Sequence, residues 1–189
     1  MPENAQEFHK RCADALQKPP VAEWDTWPFE GDVRPRALDA PAAEPPREGE
    51  GGIGCKACAK PDGDYLWTDD RWRLLACGPS GLPVVVILEP REHCDTAADL
   101  ADEFAREMGV MLGRVERAVL AVAGIERVHI ARYGEGAAHL HWWFTGRPTG
   151  MRQLASSFAA VWDDVLPAAP EAIWLENMAL VAAAMRAGD

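Results

Sequence analysis

One run, His139-Leu140-His141-Trp142-Trp143-Phe144, limits the folds open to this chain more than any other. Its density of apolar and aromatic residues predicts a β-strand over Ala138 to Thr145. Strand side chains alternate faces, so His139, His141 and Trp143 are expected on one face. Standing alone, the two imidazoles would fit a pair of half-exposed histidines on an edge strand equally well. They do not stand alone, because Cys55-Lys56-Ala57-Cys58 and His93 lie upstream. A zinc ion takes four nitrogen or sulfur ligands in a tetrahedron, and a CxxC turn aims two thiolates at one point. A lone CxxC is a weak signal with structural and redox uses, but no thioredoxin-like βαβ context accompanies this one. With His93 and His139 the ligand set closes as Cys55, Cys58, His93 and His139. Cys94 is a rival for the place of its neighbour His93; adjacent side chains diverge, and His93 is preferred.

The remaining cysteines and histidines have plainer uses. Cys12 and Cys77 are expected as buried small hydrophobes. His9 falls on a weakly patterned N-terminal segment and is expected in solvent. His129 lies between Val128 and Ile130 and faces away from them, as a surface or interface histidine would. Five cysteines, an odd number, argue against a disulfide framework. A net charge of −11 argues against a general nucleic-acid surface, though a local cluster of donors can still hold a small anion. No stretch approaches the roughly 18–20 apolar residues of a membrane span. The N-terminal Met1 to Glu7 lacks the basic and apolar regions of a signal peptide. The expectation is a soluble, cytoplasmic chain with neither a nucleic-acid nor a membrane partner.

Read in order, residues 3–17 carry a weak helical pattern through Phe8, Cys12, Ala15 and Leu16, ended by Lys18-Pro19-Pro20. From Pro19 to Gly54 the chain is rich in Pro, Gly and acidic residues, a composition whose default is disorder. Trp24, Trp27 and Phe29 favour an arm lying across the domain or a partner subunit. Asp64–Thr68 and Trp72–Cys77 predict a hairpin around Asp69-Asp70, and Pro83–Glu89 a strand buried on both faces, stopped by Pro90. Thr96 with Asp99 resembles a helix start, and Leu100, Phe104, Met108, Met111, Val115, Val119 and Val122 follow at helical spacing as far as Gly124. Val128–Tyr133 predicts a strand, Gly134-Glu135-Gly136 a turn, and 152–166 and 171–187 two helices. The result is an α+β fold: an antiparallel sheet with one long helix, an irregular N-terminal arm and two added C-terminal helices. The chain divides into an arm (1–53), a zinc domain (54–150) and a helical extension of that domain (151–189).

The order CxxC, hairpin, Pro-x-x-His, long helix, strand, glycine turn and His-x-His resembles the histidine-triad superfamily. It is similar above all to the zinc-containing members and the galactose-1-phosphate uridylyltransferase branch. The resemblance covers about Gly54 to Pro148. It implies that Cys55, Cys58, His93 and His139 hold a structural zinc. It also implies that His141 is a nucleophile, forming a nucleotidyl-histidine intermediate that water or a second phosphate resolves. An imidazole near pH 7 suits that chemistry when one ring nitrogen is held and the other is free.

Three positions depart from the family pattern. Trp143 stands where a third histidine, or the uridylyltransferases' glutamine, would be. Glu135 stands for a phosphate-contacting glutamine and Gly136 for a Ser or Thr. Each change removes a donor, and Glu135 adds a charge whose repulsion of a phosphate is on the order of 4 kcal/mol at 4 Å and an effective ε of about 20. Arg132 and Arg147 are candidates to neutralise it, and the backbone N–H groups of residues 134–137 can form an anion nest. Glu135, Gly136, Trp143 and Arg132 are the candidate substrate contacts. Packing against the C-terminal helices competes for Trp142 and, evenly, for Trp143.

The leading expectation is a nucleotide phosphoester or phosphoramidate hydrolase or nucleotidyltransferase. Its alternatives are a zinc-stabilised binding or scaffold protein, and a divergent enzyme acting on another small molecule. Family likeness favours a homodimer, with Trp162, Trp174, Leu175 and Met178 as a candidate face; the apolar stripe alone fits a monomer core equally.

Overall fold

The computed structural model describes Trp27, Phe29, Gly31, Ala37 and residues 40–188. The predicted N-terminal helix, with His9 and Cys12, and the arm residue Trp24 lie outside the described residues.

Five strands form one antiparallel sheet: β1 (Trp67–Thr68), β2 (Trp72–Ala76), β3 (Val84–Pro90), β4 (Ile125–Ala131) and β5 (Trp142–Pro148), in the order β1-β2-β3-β5-β4. Asp69 closes the first hairpin because its carboxylate accepts from the backbone N–H of Arg71 at 2.8 Å and of Trp72 at 2.6 Å. The run of β-branched residues in β3 places the strand at the sheet's centre, buried along almost its whole length. Pro90 is its last residue, and the strand ends where a proline can no longer donate to the ladder.

The register Val86↔Phe144 and Val84↔Gly146 turns Val84, Val86, Leu88 and Phe144 to one face. There they meet Met111, Val115 and Val119 of helix α2 (Asp102–Leu120) and Met178, Val181 and Met185 of helix α4 (Glu171–Ala187). The short helix α1 (Lys56–Ala59) follows Cys55, and α3 (Ala159–Val165) precedes α4. Phe104, Met108 and Val122 join this core, as their spacing predicts. The start of the long helix differs. Thr96 and Asp99 do form a capping box, but it closes only a 3-10 turn over Ala97–Asp99. Leu100 and Ala101 are then extended before α2 begins. A capping box satisfies first-turn N–H groups and does not by itself specify the turns that follow.

The helix expected over 152–166 is interrupted. Two 3-10 turns, Arg152–Leu154 and Ser156–Phe158, precede α3, with Ala155 extended between them. Leu154 is drawn into a second small core with Leu82 and Val85, against which Trp143, Trp162 and Leu166 pack. This core lies on the opposite face of the sheet, because Val85 pairs with Thr145. Gly81 permits the contact: a Cβ there would lie 2.6 Å from Leu166 Cβ and 2.7 Å from the Asp163 carbonyl.

The candidate dimer face is divided. Met178 is buried, Trp174 packs on the main core with Nε1 donating to the Cys77 carbonyl at 2.9 Å, and Trp162 joins the second core. Leu175 alone of the four is exposed. Trp142 packs against the main core. In the arm, Trp27 makes edge-on contact with Phe158 at 5.1 Å. Among the described residues no helix is long and apolar enough to cross a membrane.

Candidate metal centre and the histidine segment

Cys55 is the N-cap of α1, and its Sγ accepts from the Cys58 N–H at 3.5 Å. Side chains from three directions fix this turn. Glu48 accepts from the Lys56 N–H at 2.7 Å, the Tyr65 hydroxyl oxygen lies 3.3 Å from the Ala57 carbonyl, and Arg73 reaches the Lys60 carbonyl at 3.5 Å. Beneath the turn, Tyr65 donates to buried Glu89, and Arg73 Nη2 lies 3.2 Å from the same carboxylate. That Arg73 nitrogen has no directed hydrogen bond, so the pair is a charge contact, stacked with Arg73 over the Tyr65 ring at 4.6 Å.

His139 and His141 do not lie in β5, which begins at Trp142. The physical reason is where their backbone bonds go. Ala138 donates to the Glu48 carbonyl at 2.8 Å and Leu140 to the Cys94 carbonyl at 2.7 Å, so the segment is tied to loops instead of to a neighbouring strand. The ladder with β4 stops at Ala131↔Trp143.

The chosen ligand atoms of Cys55, Cys58, His93 and His139 all lie within 4.8 Å of one another. Cys55 Sγ is 3.4 Å from His139 Nδ1, and Cys58 Sγ is 3.6 Å from Nδ1 of both His93 and His139. A tetrahedral zinc with bonds of about 2.3 Å to sulfur and about 2.0–2.1 Å to nitrogen sets neighbouring S and N about 3.6 Å apart. These three sulfur–nitrogen spacings match the edges of such a tetrahedron. His139 Nε2 lies 2.9 Å from the Pro90 carbonyl, which can only accept, so Nε2 carries the proton and Nδ1 turns its lone pair to the cluster. Burial holds the His139 imidazole below its usual pKa, which favours the neutral form a metal needs. Burial, then the hydrogen bond to Cys55, pushes the Cys58 thiol up to about 11, a bias that a bound cation would reverse.

Backbone closes over the cluster. A Cβ on Gly49 would lie 3.0 Å from Cys55 Cβ and 3.2 Å from its sulfur, and one on Gly52 would touch the His93 ring at 3.7 Å. Both glycines have positive φ, 76° and 81°, conformations that other residues rarely adopt. The donor set, its spacing and this cradle fit zinc. Cys94 stands outside the cluster among the described residues, its thiol pushed up to about 11 by burial.

His141 is half-buried, and its Nδ1 lies 2.8 Å from the His139 carbonyl. Nδ1 is therefore the donor, and in the neutral ring Nε2 keeps its lone pair. The Trp143 ring stands edge-on to it at 6.4 Å. Trp143 thus combines both expected uses, packing in the second core and neighbouring His141.

The glycine turn is held by two residues the sequence did not single out, Arg47 and Glu48, and by Arg132, which it did. Arg47 donates to the Gly134 carbonyl at 3.2 Å and forms a two-pronged ion pair with Asp95. Glu48 N–H donates to the Gly136 carbonyl at 3.1 Å. Arg132 packs on Gly134 and donates to the Asp95 carbonyl at 2.9 Å. Arg147 pairs with Glu126 at 3.4 Å. Neither Arg132 nor Arg147 forms an ion pair with Glu135, which is exposed. Arg47 sits in a Pro-rich acidic stretch with no pattern that marks it. Gly136 is exposed beside Glu135.

No protein-family model and no curated protein matches the chain. Solved structures do. A Zn-bound histidine triad family protein from Mycobacterium smegmatis is 18% identical, aligns with 72% of this chain and 96% of its own, and gives a TM-score of 0.54. A hypothetical histidine triad nucleotide-binding protein from Sulfolobus tokodaii strain7 is 10% identical over 70% of this chain and 93% of its own, with a TM-score of 0.55. A uridylyltransferase mutant is 20% identical over 75% of this chain and 50% of its own, with a TM-score of 0.51. The chain therefore has the histidine-triad fold.

Proposed function

We propose that the chain is a zinc-braced nucleotidyl hydrolase or nucleotidyltransferase in which His141 is the nucleophile. The observation that carries this reading is the hydrogen bond from His141 Nδ1 to the His139 carbonyl. It leaves Nε2 as the attacking atom and hangs the ring from the backbone of a residue in the four-ligand cluster. Cys55, Cys58, His93 and His139 would hold zinc; bound there, it would brace the loops that carry them, and a set of four protein ligands is the closed, structural kind. His141 Nε2 attacks the α-phosphorus of a nucleotide, the bond to the leaving group breaks, and water or a second phosphate then takes the nucleotidyl group from the ring. Splitting one displacement into two lowers each barrier.

Backbone N–H groups of the turn at Glu135 and Gly136 face the incoming phosphate in this reading, while Arg132 stiffens the turn and Trp143 offers a planar surface. The unit that acts is 54–150 with its extension 151–189, in the cytoplasm, and a second copy docks on the exposed apolar residues of α4. The test is turnover of a panel: a nucleoside phosphoramidate, a dinucleoside polyphosphate and a nucleotide sugar. Turnover that His141→Ala abolishes at unchanged zinc content is expected; no turnover across the panel overturns the proposal. A non-catalytic nucleotide-binding role is the second reading. It is favoured by exposed Glu135 in place of a phosphate donor, and it predicts ligand binding without a covalent adduct on His141.

A further inference from the structure

Two adjacent residues tie the histidine segment and the glycine turn to one loop. Cys94 offers its carbonyl to the Leu140 N–H at 2.7 Å, between His139 and His141. Asp95, the next residue, holds the glycine turn by two routes. Its carboxylate takes a two-pronged hydrogen bond from Arg47, Nη1 to Oδ1 at 2.8 Å and Nη2 to Oδ2. The same Arg47 Nη1 donates to the Gly134 carbonyl at 3.2 Å. By the other route, the Asp95 carbonyl accepts from Arg132 Nη2 at 2.9 Å, and the Arg132 guanidinium lies 3.1 Å from where a Cβ on Gly134 would stand. Gly134 has a φ of 73°, so a side chain there would be strained as well as crowded.

These bonds decide which way the polar groups of the turn face. Arg47 takes the Gly134 carbonyl, and the Glu48 N–H takes the Gly136 carbonyl at 3.1 Å, so both carbonyls point to residues 47–48. The N–H groups of Glu135, Gly136 and Ala137 have no hydrogen-bond partner among the described residues. A turn whose carbonyls are withdrawn and whose N–H groups are open presents donors to an anion. The Arg47 and Asp95 side chains are 26% and 30% exposed, and an ion pair that open contributes little to overall stability. What it supplies is geometry. One guanidinium nitrogen serves Asp95 and Gly134 together while the other completes the fork, and an ammonium on a flexible stem cannot reproduce that two-pronged pair.

We infer that Asp95 is a positioning residue, which through Arg47 and Arg132 keeps the N–H groups of the 134–137 turn facing the phosphate that His141 attacks. The consequence for phosphate rests on the proposed role of the turn; the anchoring of the turn stands without it. Field and geometry predict opposite signs for one substitution. Asp95→Asn removes a negative charge and releases Arg47, so field alone would tighten the binding of an anion. Loss of the anchor weakens it, because the open N–H groups are no longer held in one direction.

Hydrogen exchange and calorimetric titration with adenosine monophosphate (AMP), on zinc-loaded full chains, test this. The amides of Glu48 and Ala138 bridge residues 47–48 and the turn. In Asp95→Asn and in Arg47→Lys both are expected to exchange about tenfold faster or more, while the Leu66 amide, bonded to the Leu74 carbonyl, exchanges unchanged. Zinc content should stay the same and the thermal midpoint should move by less than about 3 °C. AMP is expected to bind about threefold more weakly or worse in both variants. Unchanged exchange at Glu48 and Ala138, or equal acceleration at Leu66, overturns the inference. So does tighter AMP binding in Asp95→Asn, or full AMP affinity in Arg47→Lys. An unaltered chain that neither binds AMP nor turns over nucleotides overturns the proposed function instead, and exchange at Glu48 and Ala138 still decides whether Asp95 anchors the turn.

Discussion

The ring of His141 hangs from the backbone carbonyl of His139 at 2.8 Å, while the ring of His139 turns into the four-residue Cys and His cluster. One segment thus joins a candidate metal ligand to a candidate nucleophile through a single backbone group. Metal binding at the first and ring orientation at the second become one mechanical unit.

His141→Ala is expected to lower kcat/KM by about 10³-fold or more, because no other group takes over covalent catalysis. Zinc content and thermal midpoint should stay near those of the unaltered chain. Metal analysis, calorimetric melting and steady-state kinetics on the same preparation separate the chemical role from a structural one.

Zinc removal is expected to cost stability as well as order. Cys58→Ser, or chelator treatment at pH 7, should remove zinc and about 3 kcal/mol or more, lowering the thermal midpoint by about 6–12 °C. Gly49→Ala should hold zinc more weakly with all four ligands intact, because its Cβ would press on Cys55 from a backbone at φ 76°. Zinc release followed by a chromogenic chelator measures both.

The buried Arg73–Glu89 pair lies under the CxxC turn. Arg73→Met is expected to cost about 3–5 kcal/mol by leaving the Glu89 carboxylate unpaired, and Arg73→Met with Glu89→Leu to recover part of that loss. Urea unfolding of these two, of Glu89→Leu alone and of the unaltered chain closes the cycle and gives the coupling directly.

Glu135→Gln is expected to strengthen binding of an anionic ligand. The carboxylate is exposed and screened, so the gain should be about two- to fivefold in KM, shrinking as salt rises. An unchanged KM at low salt would place the phosphate away from the turn.

Alkaline pH should expose the burial of Cys77. Its thiol, in contact with the second core, is pushed up to about 11 from 9.0, chiefly by desolvation. The folded chain therefore holds this proton more tightly than the unfolded one. The contribution is complete below about pH 9 and is lost as pH rises through about 11, with a size of about 3 kcal/mol. Cys94 and Tyr65 shift in the same direction, so the difference between the unaltered chain and Cys77→Ala isolates the contribution of Cys77.

Much of the molecule was legible in the sequence, because the signals were local or chemical. Helical spacing from Phe104 to Val119 placed α2's core face, a continuous apolar run placed β3, and Pro167 to Pro170 separated the last two helices. The soft-ligand residues Cys55, Cys58, His93 and His139 were recognisable by type, since few other uses gather such groups in a chain with no disulfide pattern. Three features needed the folded molecule. The histidine segment is not strand, because Ala138 and Leu140 spend their N–H groups on Glu48 and Cys94, partners 90 and 46 positions away. Arg47 reaches the Gly134 carbonyl of the glycine turn, which no local pattern in a Pro-rich stretch could reveal. The helix expected over 152–166 shortened to α3 because Leu154 was drawn into a second core. Periodicity and ligand chemistry are written along the chain; which distant backbone group satisfies a given N–H, and which charge meets a given carboxylate, is decided only when the surfaces close.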